Sequence, residues 1–195
     1  MIENLLKNIA YLYYPKGICS INEREEYNSS EEFQRLISIT NTFYQNDDNK
    51  TNYDLLFNEL KKQDLIKNIQ DNTTFHFDRC ITFELDIVEG EEKLIKICLN
   101  ISLLVPYYAL YILENDITLN PYKWVTIPKR NQTKETNEYK EHLETIALVV
   151  EKITTFNKFP EKLANVVLPN LTYQSISKGS FTLFNAFFGD ENKLN

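Results

Sequence analysis

Residues Asp78–Asp116 read DRCITFELDIVEGEEKLIKICLNISLLVPYYALYILEND, and their patterning decides the fold class. From Ile81 to Ile87, the apolar residues Ile81, Phe83, Leu85 and Ile87 alternate with Thr82, Glu84 and Asp86. A two-residue period predicts a half-buried strand whose odd positions face a core. The run Leu94–Val105 also keeps its odd positions apolar: Ile95, Ile97, Leu99, Ile101, Leu103 and Val105. Between the runs lies Glu89-Gly90-Glu91-Glu92-Lys93, a turn whose glycine can take a positive φ.

Register follows from parity and charge. Both core faces use odd numbers, so the pairing must keep odd opposite odd. Setting Asp86 opposite Lys96 and Glu89 opposite Lys93 pairs unlike charges, each contributing roughly 0.2–1 kcal/mol. The same register places Glu84 opposite Cys98, Thr82 opposite Asn100 and Cys80 opposite Ser102. The predicted sheet has one apolar and one polar face.

Tyr107–Glu114 is predicted as a third strand, apolar on both faces, with Pro106 marking a bend or sheet edge. Tyr122–Ile127 (YKWVTI), bounded by Pro121 and Pro128, is a candidate fourth. The uncharged run Ile97–Leu113 has a rival reading as a membrane span, which needs about 20 mostly apolar residues. Asn100, Ser102, Pro106, the β-branched content and the hairpin upstream favour buried strands.

Helical spacing dominates elsewhere. Ile2, Leu5, Leu6, Ile9 and Leu12/Tyr13 keep phase until Pro15 and Gly17 stop them. Ser29-x-x-Glu32 reads as a capping box opening a second helix, with Phe33, Leu36, Ile37, Thr40 and Phe43/Tyr44 inside. Asp47-Asp48-Asn49 reads as a loop. A third helix starts near Thr51/Asn52 and runs as far as Ile69. Tyr139, Leu143, Ile146, Ala147, Val150 and Ile153 define the longest helix, roughly Lys134–Asn157. The tail Phe181–Gly189 (FTLFNAFFG) is a last strand or a short helix filling the core. The expectation is therefore a single α+β domain over residues 1–195. It consists of an antiparallel β-meander of three to four strands packed with N-terminal helices and one long C-terminal helix.

The chain's 43% hydrophobic content suffices for a sizeable core. Its net charge of −7 argues against non-specific nucleic-acid binding and suits a basic protein partner. Cys19, Cys80 and Cys98 form no CxxC pair, and the register holds Cys80 and Cys98 too far apart for a disulfide. The N-terminus has Glu3 where a secretory signal would be basic, so the expected location is the cytoplasm, with no membrane span.

No run of residues forms a catalytic or cofactor motif. His76, Asp78 and Cys80 share one parity, but same-face residues on a straight strand lie about 6.8 Å apart and no third group orients them. His142 has no motif around it. Gly17, Gly90, Gly179 and Gly189 stand alone, which excludes phosphate loops and dinucleotide fingerprints. The expectation is no catalytic residue, no metal and no cofactor.

Several segments carry a family resemblance: YYPKGI (Tyr13–Ile18), EEYNSSEEFQRL (Glu25–Leu36), DRCITFELDI (Asp78–Ile87) and KICLNISLLVPYYALYIL (Lys96–Leu113), together with Arg130-Asn131 and KFPEKL (Lys158–Leu163). With these the chain resembles the immunity proteins of bacterial polymorphic-toxin systems. The resemblance implies a cytoplasmic protein that neutralises one cognate toxin domain by tight, non-catalytic binding. The alternative is a ligand-binding or regulatory α+β module, again without catalysis. Candidate partner-binding residues are Glu84, Asp86, Lys96 and Asn100 on the polar sheet face, with Tyr108 and Trp124 as aromatic anchors of the kind favoured at interface hot spots.

Overall fold

Ile81–Ile87 and Leu94–Ile101 do pair across a hairpin, and the rest of the chain is arranged around it. The computed structural model describes residues 1–74, 78–89, 93–116, 125–126 and 139–189. Strands β1 (Asn68–Asp71), β2 (Cys80–Glu89), β3 (Lys93–Ser102), β4 (Tyr107–Asp116) and β5 (Val125–Thr126) are neighbours in that order, each antiparallel to the next. A sixth, β6 (Asn157–Lys158), pairs with β4 in parallel. The sheet is therefore mixed, and larger than an antiparallel meander of three to four strands. The rest of the candidate fourth strand, residues 122–124 and 127, lies outside the described residues.

The hairpin register holds through its centre. Asp86 faces Lys96, Glu84 faces Cys98, Thr82 faces Asn100 and Cys80 faces Ser102. It shifts at a bulge between Asp86 and Val88, which sets Val88 opposite Ile95 and Glu89 opposite Leu94. One extra residue on one strand displaces every later partner. The expected Glu89–Lys93 pairing is corrected accordingly.

Seven helices occur among the described residues: α1 (Ile2–Ala10), α2 (Arg24–Ser29), α3 (Glu31–Gln45), α4 (Asp47–Lys61), α5 (Lys140–Thr154), α6 (Glu161–Ala164) and α7 (Leu183–Phe187). The helix following the expected capping box is capped by Ser30, not Ser29: the Ser30 Oγ accepts from the Phe33 N–H at 3.3 Å. Ser29 instead ends α2, a helix that the charged run Glu23–Glu26 does not suggest. Asp47-Asp48-Asn49 is the first turn of α4, where Asn46 caps the Asn49 N–H and two aspartates meet the positive end of the helix dipole. That helix stops at Lys61, and the end of its expected extension becomes part of β1. The helix expected over Lys134–Asn157 is α5, which ends earlier, at Thr154: Thr155 turns left-handed (φ 60°) and Asn157 belongs to β6, while residues 134–138 lie outside the described set. It is not terminal: α6, irregular chain and the five-residue α7 follow it, so a long helix at the C-terminus is also corrected.

Both faces of the sheet are covered. On one, the odd positions Ile81, Phe83, Leu85, Ile95, Ile97, Leu99 and Ile101 and the β4 residues Tyr108, Leu110 and Ile112 pack against Leu56 and Leu60 of α4 and Ile146 and Val150 of α5. On the other, Cys80, Cys98, Ala109, Tyr111 and Leu113 join a second core with Leu6 and Ala10 of α1 and the aromatic segment Phe181–Phe188. The expected polar face is thus a second buried interface over much of its length. Hydrogen bonds at long sequence separation hold this layer. The Tyr14 hydroxyl donates to the Ala186 carbonyl at 2.7 Å, and the Tyr27 hydroxyl to that of Thr172 at 2.8 Å. Asn185 and Thr182 close a capping box at α7. At the N-terminal helix, Ile2, Leu5 and Leu12 remain exposed although they share helical phase with the buried Leu6.

Candidate functional site

The even positions of β2 and β3 bring three charges together where the second core ends. Lys96 lies diagonally across from Glu84 and directly opposite Asp86. Long side chains bridge such diagonals on a pleated surface. The Lys96 Nζ sits 3.0 Å from Glu84 Oε2 and 3.7 Å from Asp86 Oδ1. Asn68 on β1 donates its amide to Asp86 Oδ2 at 3.1 Å. Burial pulls the Lys96 ammonium towards losing its proton. The hydrogen bond and charge of Glu84, with the charge of Asp86, outweigh that pull and raise its pKa above the usual lysine value. Two carboxylates around one ammonium leave this group with a formal surplus of one negative charge.

Beside it lies a partly open cavity of about 220 Å³, lined by Asn72, Thr82, Glu84, Cys98, Asn100, Tyr111, Phe184 and Gly189. A Cβ built on Gly189 would meet nothing within 4 Å, so open space adjoins that wall. Asn100 is 3% exposed; its side-chain nitrogen donates to the Tyr111 hydroxyl at 3.4 Å, while its Oδ1 has no partner. Burial, followed by the neighbouring Cys98 thiol, pushes the Tyr111 phenol well above its ordinary pKa and keeps it protonated. The Tyr111 and Phe184 rings meet edge to face at 6.2 Å.

Four candidate residues therefore share one face: Glu84, Asp86, Lys96 and Asn100. Tyr108 does not join them. It lies fully buried on the opposite face and donates to Glu151 Oε1 at 2.7 Å, so it serves the core and is not presented to a partner. Trp124 and His76 lie outside the described residues. Asp78 accepts from the Thr74 N–H, while Cys80 points under the aromatic tail to the Phe188 carbonyl. Among the described residues no three His, Cys, Asp or Glu side chains are grouped to hold a metal ion, and no helix is long and apolar enough to cross a membrane. Sequence reasoning misses Asn72 and Phe184. In the folded sheet Tyr111 stands opposite Cys98, on the face of Glu84 and Asn100.

A second concavity, about 320 Å³ and mostly apolar, opens on the other face beneath Phe43, Tyr53, Leu56, Leu103, Ile153 and Phe156.

The cysteines are unbridged. Cys80 and Cys98 are buried, whereas Cys19 is half-buried and its pKa is lowered by the backbone groups of Asn22 and Ile21. Hydrogen bonds to a thiolate favour the charged, reactive form. A thiol reagent is thus expected to modify Cys19 promptly in native protein, and at lower pH than an ordinary thiol, while Cys80 and Cys98 react only in denaturant. Intact mass revealing a disulfide after native purification would contradict this.

No family model matches this chain, and neither a curated protein nor a solved structure does.

Proposed function

We propose that this chain is an immunity-type binding protein of the cytoplasm, which neutralises one cognate bacterial toxin domain by tight association and has no turnover of its own. The observation that carries this reading is the carboxylate surplus of the Glu84–Lys96–Asp86 group beside a partly open cavity, on a molecule of net charge −7. Electrostatic complementarity of this kind accelerates encounter with a basic partner and fixes its orientation. The resemblance of the segments around Tyr13–Ile18 and Lys96–Leu113 to immunity proteins supplies the partner class.

The test is co-expression with the toxin domain encoded immediately upstream. Growth should be rescued, and the two chains should elute together with a dissociation constant on the order of nanomolar or below, about −12 kcal/mol. Asp86→Asn and Glu84→Gln should slow association and flatten its salt dependence. No rescue and no complex would reject the proposal. The apolar cleft between α4 and α5 would then favour the second reading, a ligand-binding module, since its volume reaches the lower end of small-molecule sites at roughly 300 Å³.

A further inference from the structure

We infer that the free edge of β1 pairs with the same edge of a second copy of this chain, antiparallel and in register about Ile69, so that two sheets join into one. This goes beyond the partner-binding reading and does not depend on it.

Three observations carry it. The first is an open edge. Among the described residues β1 has one neighbour, β2. The Asn72 N–H donates to the Thr82 carbonyl at 2.9 Å, so Asn72 and Thr82 form a hydrogen-bonded pair. The alternation of an antiparallel ladder extends this to Gln70–Glu84 and Asn68–Asp86. Ile69 and Asp71, lying between, turn their backbone groups away from β2. Such unpaired donors and acceptors are a template for another strand. Lys67, Asn68, Gln70, Asp71 and Asn72 are all exposed.

The second observation is charge complementarity. A twofold axis through Ile69 sets Lys67 opposite Asp71 of the second copy, twice over, and Asn68 opposite its Gln70. Unlike charges facing across strands favour a register and like charges oppose it. An axis through Gln70 forfeits both pairs, and one through Asp71 sets two aspartates against each other. Charges on an edge usually keep copies apart. Placed with opposite signs at equal distances from Ile69, these attract instead. The third is that both charges are unused within the chain. Neither Lys67 nor Asp71 forms an ion pair among the described residues, and Asp71 spends one oxygen, Oδ1, on the Thr73 N–H at 2.9 Å.

In the joined sheet Ile69 exchanges both backbone hydrogen bonds with Ile69 of the second copy. Asn68 and Gln70 share a face with Asp86 and Glu84, because residues paired in register point to the same side. The two Glu84–Lys96–Asp86 groups then lie on one continuous face. Asp86 of one copy stands about 14 Å from Glu84 of the other, across three strand spacings.

An edge of four residues is at the low end of interface size, so the dimer is expected to be weak, with Kd on the order of 100 µM. Sedimentation equilibrium of the full chain from about 10 µM to about 1 mM should show reversible monomer–dimer exchange. Asp71→Lys or Lys67→Asp alone should weaken it about tenfold, since two attractive pairs become two repulsive ones. Lys67→Asp combined with Asp71→Lys in one chain should restore it. Hydrogen exchange gives a second readout: the Ile69 amide should exchange faster in dilute than in concentrated protein, while the Gln70 amide, bonded to β2, should not change. Should a variant misfold, exchange at Ile69 in the native chain decides. A chain that stays monomeric throughout, a dimer indifferent to both single reversals, a folded double variant that fails to restore it, or Ile69 exchange independent of concentration overturns the inference.

Discussion

Replacing Phe83 by alanine is expected to lower stability by about 3–5 kcal/mol, the range for deleting a buried aromatic ring. Phe83 is fully buried at the centre of β2, between Leu99 on β3 and Asp71 on β1. Its ring meets those of Tyr53 and Phe57 at 5.4 and 5.5 Å, which ties α4 to the sheet. Alanine would remove these contacts and leave a cavity that rigid strands on either side cannot close. Since whole domains are stable by only about 5–15 kcal/mol, the variant should unfold at a much lower urea midpoint. Phe83→Leu should lose far less. If the alanine variant behaved like a surface change such as Glu144→Ala, the assignment of Phe83 to the core would be wrong.

Arg79→Ala should be nearly as damaging, at about 2–4 kcal/mol, for a different reason. Arg79 is buried, donates its Nε to the Asn185 carbonyl at 2.6 Å and lies over the Tyr173 ring at 4.5 Å. A hydrogen bond from a charged donor contributes about 1.5–3 kcal/mol and a desolvated cation–π contact up to about 2 kcal/mol. Alanine would discard both and leave a buried carbonyl unpaired. Because the contact joins the start of β2 to α7, the loss should be local as well as global. Hydrogen exchange at Leu183–Phe188 should accelerate more than exchange at Ile97 and Leu99 in the middle of β3. Lysine at this position should rescue little, since a point ammonium reproduces neither the Nε–H geometry nor the planar stacking. Uniform acceleration across the sheet would contradict this role for Arg79.

The candidate site is legible in part. Alternation places Glu84, Asp86, Lys96 and Asn100 on one face, because a strand's period sends every second side chain the same way. Tyr108 escapes that reasoning because a run apolar on both faces, Tyr107–Leu113, carries no period to say which face any residue takes. In the folded chain its neighbour in register, Ile101, draws Tyr108 onto the α4–α5 side. The Asp86–Val88 bulge leaves no sign either, since a bulge keeps the composition of a strand while changing its partners.

What the sequence by itself determined is the α+β class, the hairpin and the pairing of Asp86 with Lys96, all of which depend on residues close in the chain. Alternation and opposite charges suffice there, because neighbours along a strand cannot avoid the pleat. The cover over the even face was decided only by tertiary structure. Arg79 reaches Asn185, Tyr14 reaches Ala186 and Tyr27 reaches Thr172, contacts between residues more than a hundred positions apart. The strand Asn68–Asp71 is likewise created by its partner: only Ile69 is buried, and β2 supplies the hydrogen bonds that its own residues do not call for. The cavity belongs to this second class. Its walls come from β2, β3, β4 and α7, and no local pattern records that they meet.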